Sequence, residues 1–239
     1  KMIVTFEHTY RTELLFLPAR NGGGKLVGLE IIANFVSAND GDIRTPTELI
    51  LPRLSDEQAL TLFREKLALL ESCQLFFIQH QQVAWLNITP AITTAILSDN
   101  NLAAEIERFP FIELTVNENY PALNNGGENE SLAQLSKRYP VVLANFGAGH
   151  ASTKAIFNSL FYRIAMDKNF IHQRLSENSF EPFMRAIISQ IEPYCSALMI
   201  AGVDDELTLQ RVMRFPFAAM QGAQWPAVDP SMLTTLIQQ

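Results

Sequence analysis

The sequence predicts an α/β fold, a modified (β/α)8, TIM-like barrel that opens with an antiparallel hairpin. Three observations predict it. Apolar strand-like runs recur along the chain with amphipathic helical stretches between most of them, the pattern of a parallel sheet covered by helices. Counted with the hairpin, the strand-like runs number eight, which favours closure into a barrel. The 239 residues show no break in composition and no low-complexity stretch, and single barrels reach this length, so one domain over residues 1–239 is expected.

The hairpin comes first. Apolar runs at 13–18 and 26–36 flank Asn21-Gly22-Gly23-Gly24, a separator that takes positive φ at little cost and that no P-loop Lys-Ser/Thr pair follows. Ser55 and Gln58 then form a capping box at the start of a helix whose apolar stripe runs through Leu60, Phe63, Leu67 and Leu70, widened by Leu62 and Leu69. Strand-like runs follow at 83–88, 111–116, 141–146, 163–167, 196–202 and 218–222. Helical stretches lie at 90–109 with a break near Asn100, and at 128–139, 151–161, 180–191 and 205–213; an amphipathic segment over 230–239 ends the chain.

Composition narrows the function. A net charge of −7 and the lack of any Lys/Arg cluster exclude an electrostatic footprint for duplex DNA, so an effect on transcription would pass through a protein. Cys73 and Cys195 belong to no CxxC pair and are expected to be buried thiols in a reducing cytoplasm. No apolar run reaches membrane-spanning length and no basic-then-apolar leader is present; Lys1 reads as a residue added ahead of Met2. A cytoplasmic protein is expected.

In such a barrel, functional groups gather where strands end. Asn87, Asn117, Glu118, Asn145, Asp167, Asp204 and Gln221 stand at those ends, and Glu30 sits inside an apolar strand, where a carboxylate is costly unless paired, coordinated or facing a polar cavity. Taken singly, each strand-end group is an ordinary loop cap or turn former. Together they converge on one rim.

The same positions carry a resemblance. Gly28-Leu29-Glu30-Ile31-Ile32 resembles the segment that names the EAL phosphodiesterases, with Ile-Ile in place of Ala-Leu. Trp85-Leu86-Asn87-Ile88 is similar to the family's Val-Asn-Leu-Ser strand end, Asn117-Glu118-Asn119 to the end of Glu-x-Thr-Glu, and Asn145-Phe146-Gly147-Ala148-Gly149 to that of Asp-Asp-Phe-Gly-x-Gly. Met166-Asp167-Lys168-Asn169-Phe170 resembles Lys-Ile-Asp-x-x-Phe, Ile200-Ala201-Gly202-Val203-Asp204 falls on Ala-Glu-Gly-Val-Glu, and Gln221-Gly222 on the late Gln-Gly pair. The matches keep the family's order over almost the whole chain, and imply an EAL-type barrel.

The departures imply a silent one. Family hydrolysis uses two metal ions that activate water and stabilise charge on the phosphodiester. The resemblance leaves Glu30 and Asn87 as counterparts of metal ligands, but Ala144-Asn145 replaces the Asp-Asp pair, Thr115 the first Glu of Glu-x-Thr-Glu, Ala165 the Lys and Ala201 the catalytic Glu. Glu113, two residues before Thr115, would lie on the same strand face but deeper, and Asn34 stands where the family has an Arg that contacts the nucleotide. Without those carboxylates no metal, no cofactor and no catalysis is expected, and cyclic-di-GMP affinity should be weak or absent. Glu30, Asn87, Glu118, Asn145, Asp167, Asp204 and Gln221 would form a vestigial pocket given over to internal hydrogen bonding.

The runs 73–80, 117–121, 180–183 and 224–228 resemble a degenerate, enterobacterial branch of the family rather than its enzymes. That likeness implies an anti-activator: it would bind the FlhD subunit of the flagellar master regulator FlhDC, keep it off promoter DNA and promote its delivery to the ClpXP protease.

Rival readings stay open. A non-catalytic cyclic-di-GMP receptor would keep the pocket as a sensor, and an active phosphodiesterase would need ligands this sequence lacks. Gly147-Ala148-Gly149-His150-Ala151-Ser152 follows a strand and precedes a helical pattern, with Asp167 further on, but Ser152 replaces the third Gly of a dinucleotide fingerprint. His8, His80, His150 and His172 show no catalytic spacing. The aromatic stretches at 109–111 and 225–226 are candidates for a partner face, with core packing the simpler use; the interface itself is not legible.

Overall fold

A computed structural model describes residues 1–39 and 43–237. The chain opens with β1 (Ile3–Thr5), β2 (Thr9–Arg20) and β3 (Leu26–Ser37), the last two forming a long antiparallel hairpin. Its turn works as the glycine run implies: Asn21 Oδ1 accepts from the backbone N–H groups of Gly23 and Lys25, and Gly24 takes φ +82°. After β4 (Arg44–Thr45) and the short α1 (Thr47–Ile50) comes the longest helix, α2 (Asp56–Gln79). Ser55 and Gln58 cap it reciprocally, Ser55 Oγ accepting from the Gln58 N–H while Gln58 Oε1 accepts from the Ser55 N–H.

Strands and helices then alternate: β5 (Val83–Asn87), α3 (Pro90–Ser98), α4 (Asn100–Glu107), β6 (Ile112–Asn117), α5 (Glu130–Arg138), β7 (Val141–Phe146), α6 (Thr153–Phe157) and β8 (Arg163–Met166). They are followed by α7 (Asn169–Arg174), α8 (Phe180–Ile191), β9 (Ala197–Ile200), α9 (Glu206–Val212) and β10 (Phe217–Met220). The expected break near Asn100 is present: Asp99 ends α3 and caps α4, its carboxylate accepting from the N–H groups of Asn101 and Leu102.

Consecutive strands from β5 to β10 pair in parallel, β3 joins β5 in parallel, and β2 pairs antiparallel with both β3 and β10. The sheet therefore closes through its hairpin. Among the described residues the barrel has the expected eight strands, but the sheet has ten, because β1 and β4 are added on the outer edges of β2 and β3.

Two cores result. Between sheet and helices, Leu29, Ile31, Leu86, Leu114, Leu143 and Ile164 pack against Phe63, Leu67, Leu70, Ile96, Leu132 and Met184. Alternate residues face the barrel interior, where Ala19, Trp85, Val142, Met199 and Ala219 form a smaller cluster. Arg20, at the seam where β2 meets β10, donates to the carbonyls of Gly24 and Leu236 and so pins the C-terminal turn over 230–236.

Several expectations need correction. The helix expected over 151–161 is only Thr153–Phe157, because Ser152 spends its side chain on Glu118 and Ser159 takes a left-handed φ of 57°. The helix α7 was hidden in a stretch with no clear period. Cys73 and Cys195 are free as expected, but both are half-buried rather than buried. The segment expected over 230–239 is a 3-10 turn over Pro230–Leu236; Gln238 and Gln239 lie outside the described residues.

Candidate functional site at the barrel mouth

Glu30 lies midway along β3, in register with Trp85 of β5. Strand alternation puts Leu29 and Ile31 into the outer core and turns Glu30 inward, where Gln221 Nε2 donates to its Oε1 at 3.3 Å. Above it opens a cavity of about 430 Å³ lined by Glu30, Asn87, Thr115, Asn117, Ala144 and Asn145 on the strand side. Leu51, Leu54, Leu62, Phe63 and Ile92 supply an apolar wall.

Lys66 completes the lining. It sits on the buried stripe of α2, flanked by Leu62, Phe63, Leu67 and Leu70, and is 7% exposed. Burial lowers its pKa to about 8 despite the attraction of Glu30, and burial raises that of Glu30 against the Gln221 hydrogen bond and the Lys66 charge. The two charges attract without touching. The sequence pattern did carry a signal for Lys66, a cation inside an apolar helical stripe, but not that the stripe's face would end over a polar cavity.

The other expected site residues separate into local groups. Asn145 Nδ2 donates to Asp167 Oδ1 at 3.0 Å, and Asp167 Oδ2 accepts from the Asn169 N–H. Glu118 is buried and accepts a short hydrogen bond from Ser152 Oγ, while its second oxygen has no partner among the described residues. Asp204 is exposed; it meets His172 Nε2 at 2.8 Å and accepts from the Ala223 N–H. Of the seven, Glu30, Asn87 and Asn145 line the cavity, Gln221 braces Glu30, Asp167 braces Asn145, and Glu118 and Asp204 serve neighbouring loops. At the adjoining turn Gly147 takes φ +97°, and a Cβ there would stand 2.1 Å from the Phe170 ring, so only glycine fits. The fingerprint-like run 147–152 is thus a turn whose Ser152 is committed to Glu118.

Glu113 lies deeper on the inner face of β6, as its spacing from Thr115 implies. Arg163 of β8 grips it with Nε and Nη2 at 3.0 and 3.2 Å, and Trp85 Nε1 donates to it at 3.1 Å. It is fully engaged there.

A pair of divalent cations does not fit these residues. Among the described residues no three His, Cys, Asp or Glu side chains assemble as a ligand set. Hard cations need several oxygen ligands, and here Ala144 offers a methyl group while the protonated Lys66 ammonium on the same lining would repel metal. The arrangement can bind and orient a ligand. Of the aromatic stretches, Phe109 is buried and Phe111 and Trp225 pack against the outer core. A broader cleft of about 600 Å³ crosses the opposite end of the barrel, lined in part by Tyr139, Tyr162 and Tyr194.

Fold and mouth together define an eight-stranded TIM-like barrel, closed by a hairpin, whose mouth lacks a metal-ligand set among the described residues. The EAL domain matches residues 8–225, and the chain belongs to the EAL-domain family. It is 56% identical over 238 residues, with 100% of both chains covered, to the anti-FlhC(2)FlhD(4) factor YdiV of Salmonella arizonae. It is 47% identical over the same span to the putative anti-FlhC(2)FlhD(4) factor YdiV of Escherichia coli K12. The crystal structure of the EAL-like domain protein YdiV superposes with a TM-score of 0.88 at 47% identity, covering 96% of this chain and 97% of that one. The EAL domain of Mycobacterium smegmatis DcpA shares the fold at a TM-score of 0.72 and 18% identity, covering 95% and 98%. No helix among the described residues is long and apolar enough to cross a membrane.

Proposed function

We propose that this chain is a catalytically inactive EAL-like regulator, acting as one unit over residues 1–239, that binds the flagellar master regulator FlhDC through its FlhD subunit. Binding blocks the complex from promoter DNA, promotes its proteolysis by ClpXP and so represses flagellar genes in the cytoplasm. The observation that carries this reading is full-length likeness, at 56% identity, to proteins named anti-FlhC(2)FlhD(4) factors. Two features support it. The net charge of −7 suits a protein that removes a DNA binder rather than competing for DNA. The mouth places the Lys66 ammonium near a lone Glu30 carboxyl, and the Gln221–Glu30 and Asn145–Asp167 hydrogen bonds, with Asn87 on the same lining, suit a vestigial site.

Two calorimetric titrations on one preparation test it. Saturable heat is expected with FlhD, and none with cyclic-di-GMP in excess Mg²⁺, together with no linear dinucleotide product in Mg²⁺ or Mn²⁺. Binding of cyclic-di-GMP without FlhD would make the chain a nucleotide receptor, and product formation would make it an enzyme.

A further inference from the structure

The mouth cavity is more than a lost active site. Lys66 is 7% exposed, lines the cavity, and among the described residues makes no ion pair and no hydrogen bond. A buried ammonium without a contacting acceptor is a costly arrangement. Thr115 Oγ1, on the same lining, is buried and also has no hydrogen-bond partner among the described residues. Two polar groups of the lining thus face one space unpartnered, beside the apolar Leu51, Leu54, Leu62 and Ile92. The volume of about 430 Å³ lies in the range of small-molecule sites, which combine apolar walls with a few convergent polar groups.

We propose that this cavity binds a small amphipathic monocarboxylate, an acid with an apolar chain or ring, whose head group meets Lys66 and Thr115 and whose body lies along Leu51, Leu54, Leu62 and Ile92. The head carries one negative charge, enough to pair with the Lys66 ammonium that Glu30 attracts without contacting, and no second charge is set beside the Glu30 carboxyl. The head has donors to accept from, the ammonium and the hydroxyl. The body is apolar because Leu51, Leu54, Leu62 and Ile92 line its path, and the hydroxyls of Thr47 and Thr89 on the same lining are already bonded to the Ala33 carbonyl and the Ile92 N–H. This assignment goes beyond the regulator reading and stands apart from it; FlhD binding is scored on the same samples, so failure of either is seen separately.

Decanoate is the probe, titrated below its micellar range into the full chain, with decanol and cyclic-di-GMP as comparisons. Decanoate is expected to saturate at one site and to bind at least tenfold tighter than decanol. Lys66→Met should weaken decanoate at least tenfold and leave decanol unchanged. Leu51, 39% exposed at the rim, allows a second variant that leaves the core alone, and Leu51→Asp should weaken both ligands. With ¹³C-labelled lysine, the Lys66 titration should move upward in pH when decanoate is bound. Equal affinity for decanoate and decanol, unchanged decanoate binding in Lys66→Met, no saturation at all, or saturation by cyclic-di-GMP alone would each overturn the assignment.

Discussion

Two oppositely charged pairs lie inside one barrel, and they are built differently. At the lower level Arg163 and Glu113 touch through two hydrogen bonds, and Trp85 donates a third to the same carboxylate. At the mouth Lys66 and Glu30 attract across a cavity without a contact. The lower pair joins β5, β6 and β8, where interior side chains fill the space. The upper pair joins β3 to a helix, and the space between them stays open. A buried charge that is fully hydrogen-bonded locks geometry; one left short of partners keeps its demand for one. The difference separates a structural floor from a receptive mouth.

Breaking the lower pair should have the largest effect. Arg163→Met leaves Glu113 buried without its cation, and about 3–5 kcal/mol of stability should be lost in urea unfolding at pH 7. The double variant Arg163→Met with Glu113→Gln should recover much of that loss, since neither charge then remains. A single variant that unfolds like wild type would show that the lower pair is not the lock described here.

The upper pair is sharpened by pH. The Lys66 pKa falls from 10.5 to about 8 on folding, so the unfolded chain holds more protons between those values and stability rises with pH across that window. Below pH 8 both states are protonated and the cost of burying the charge is present in full. Relative to Lys66→Met, the wild-type chain should gain about 3 kcal/mol between pH 8 and 10.5. Using the difference cancels Tyr120 and Tyr139, whose burial raises their phenol pKa values and works in the opposite sense. A flat difference curve would mean that Lys66 is not held in the apolar setting the fold gives it.

The smallest effect belongs to the rim. Asn145 holds φ 58° and donates to Asp167. Asn145→Ala should cost about 1–2 kcal/mol, and Asn145→Gly less, because glycine accepts the left-handed backbone without penalty. Equal losses in thermal unfolding would assign the turn to the Asp167 hydrogen bond rather than to the backbone.

Much of the fold was legible because its signals are local. The Ser55–Gln58 box, the Asn21–Gly24 turn and the break at Asp99 depend on residues close in sequence, and each formed as its residues imply. Glu30 was legible as an inward carboxylate because strand alternation leaves it only two faces. The misses had non-local causes. α6 is short because Ser152 is bound by Glu118, a residue of another loop, and Cys73 and Cys195 are half-buried because of what packs over them.

The sequence by itself determined the alternation of strands and helices, the order of the family's motifs and the loss of carboxylates at Ala144, Thr115 and Ala201, since residue identity and period need no third dimension. Only the tertiary structure decided that Lys66, 36 positions from Glu30 and on the apolar stripe of its helix, shares a cavity with that carboxyl, and that the deeper Glu113 meets Arg163 and Trp85 there. Barrel closure sets these meetings. Once β2 seals against β10, the depth of each strand fixes which charges share a layer, and that depth is written in the packing of the whole sheet rather than in any one segment.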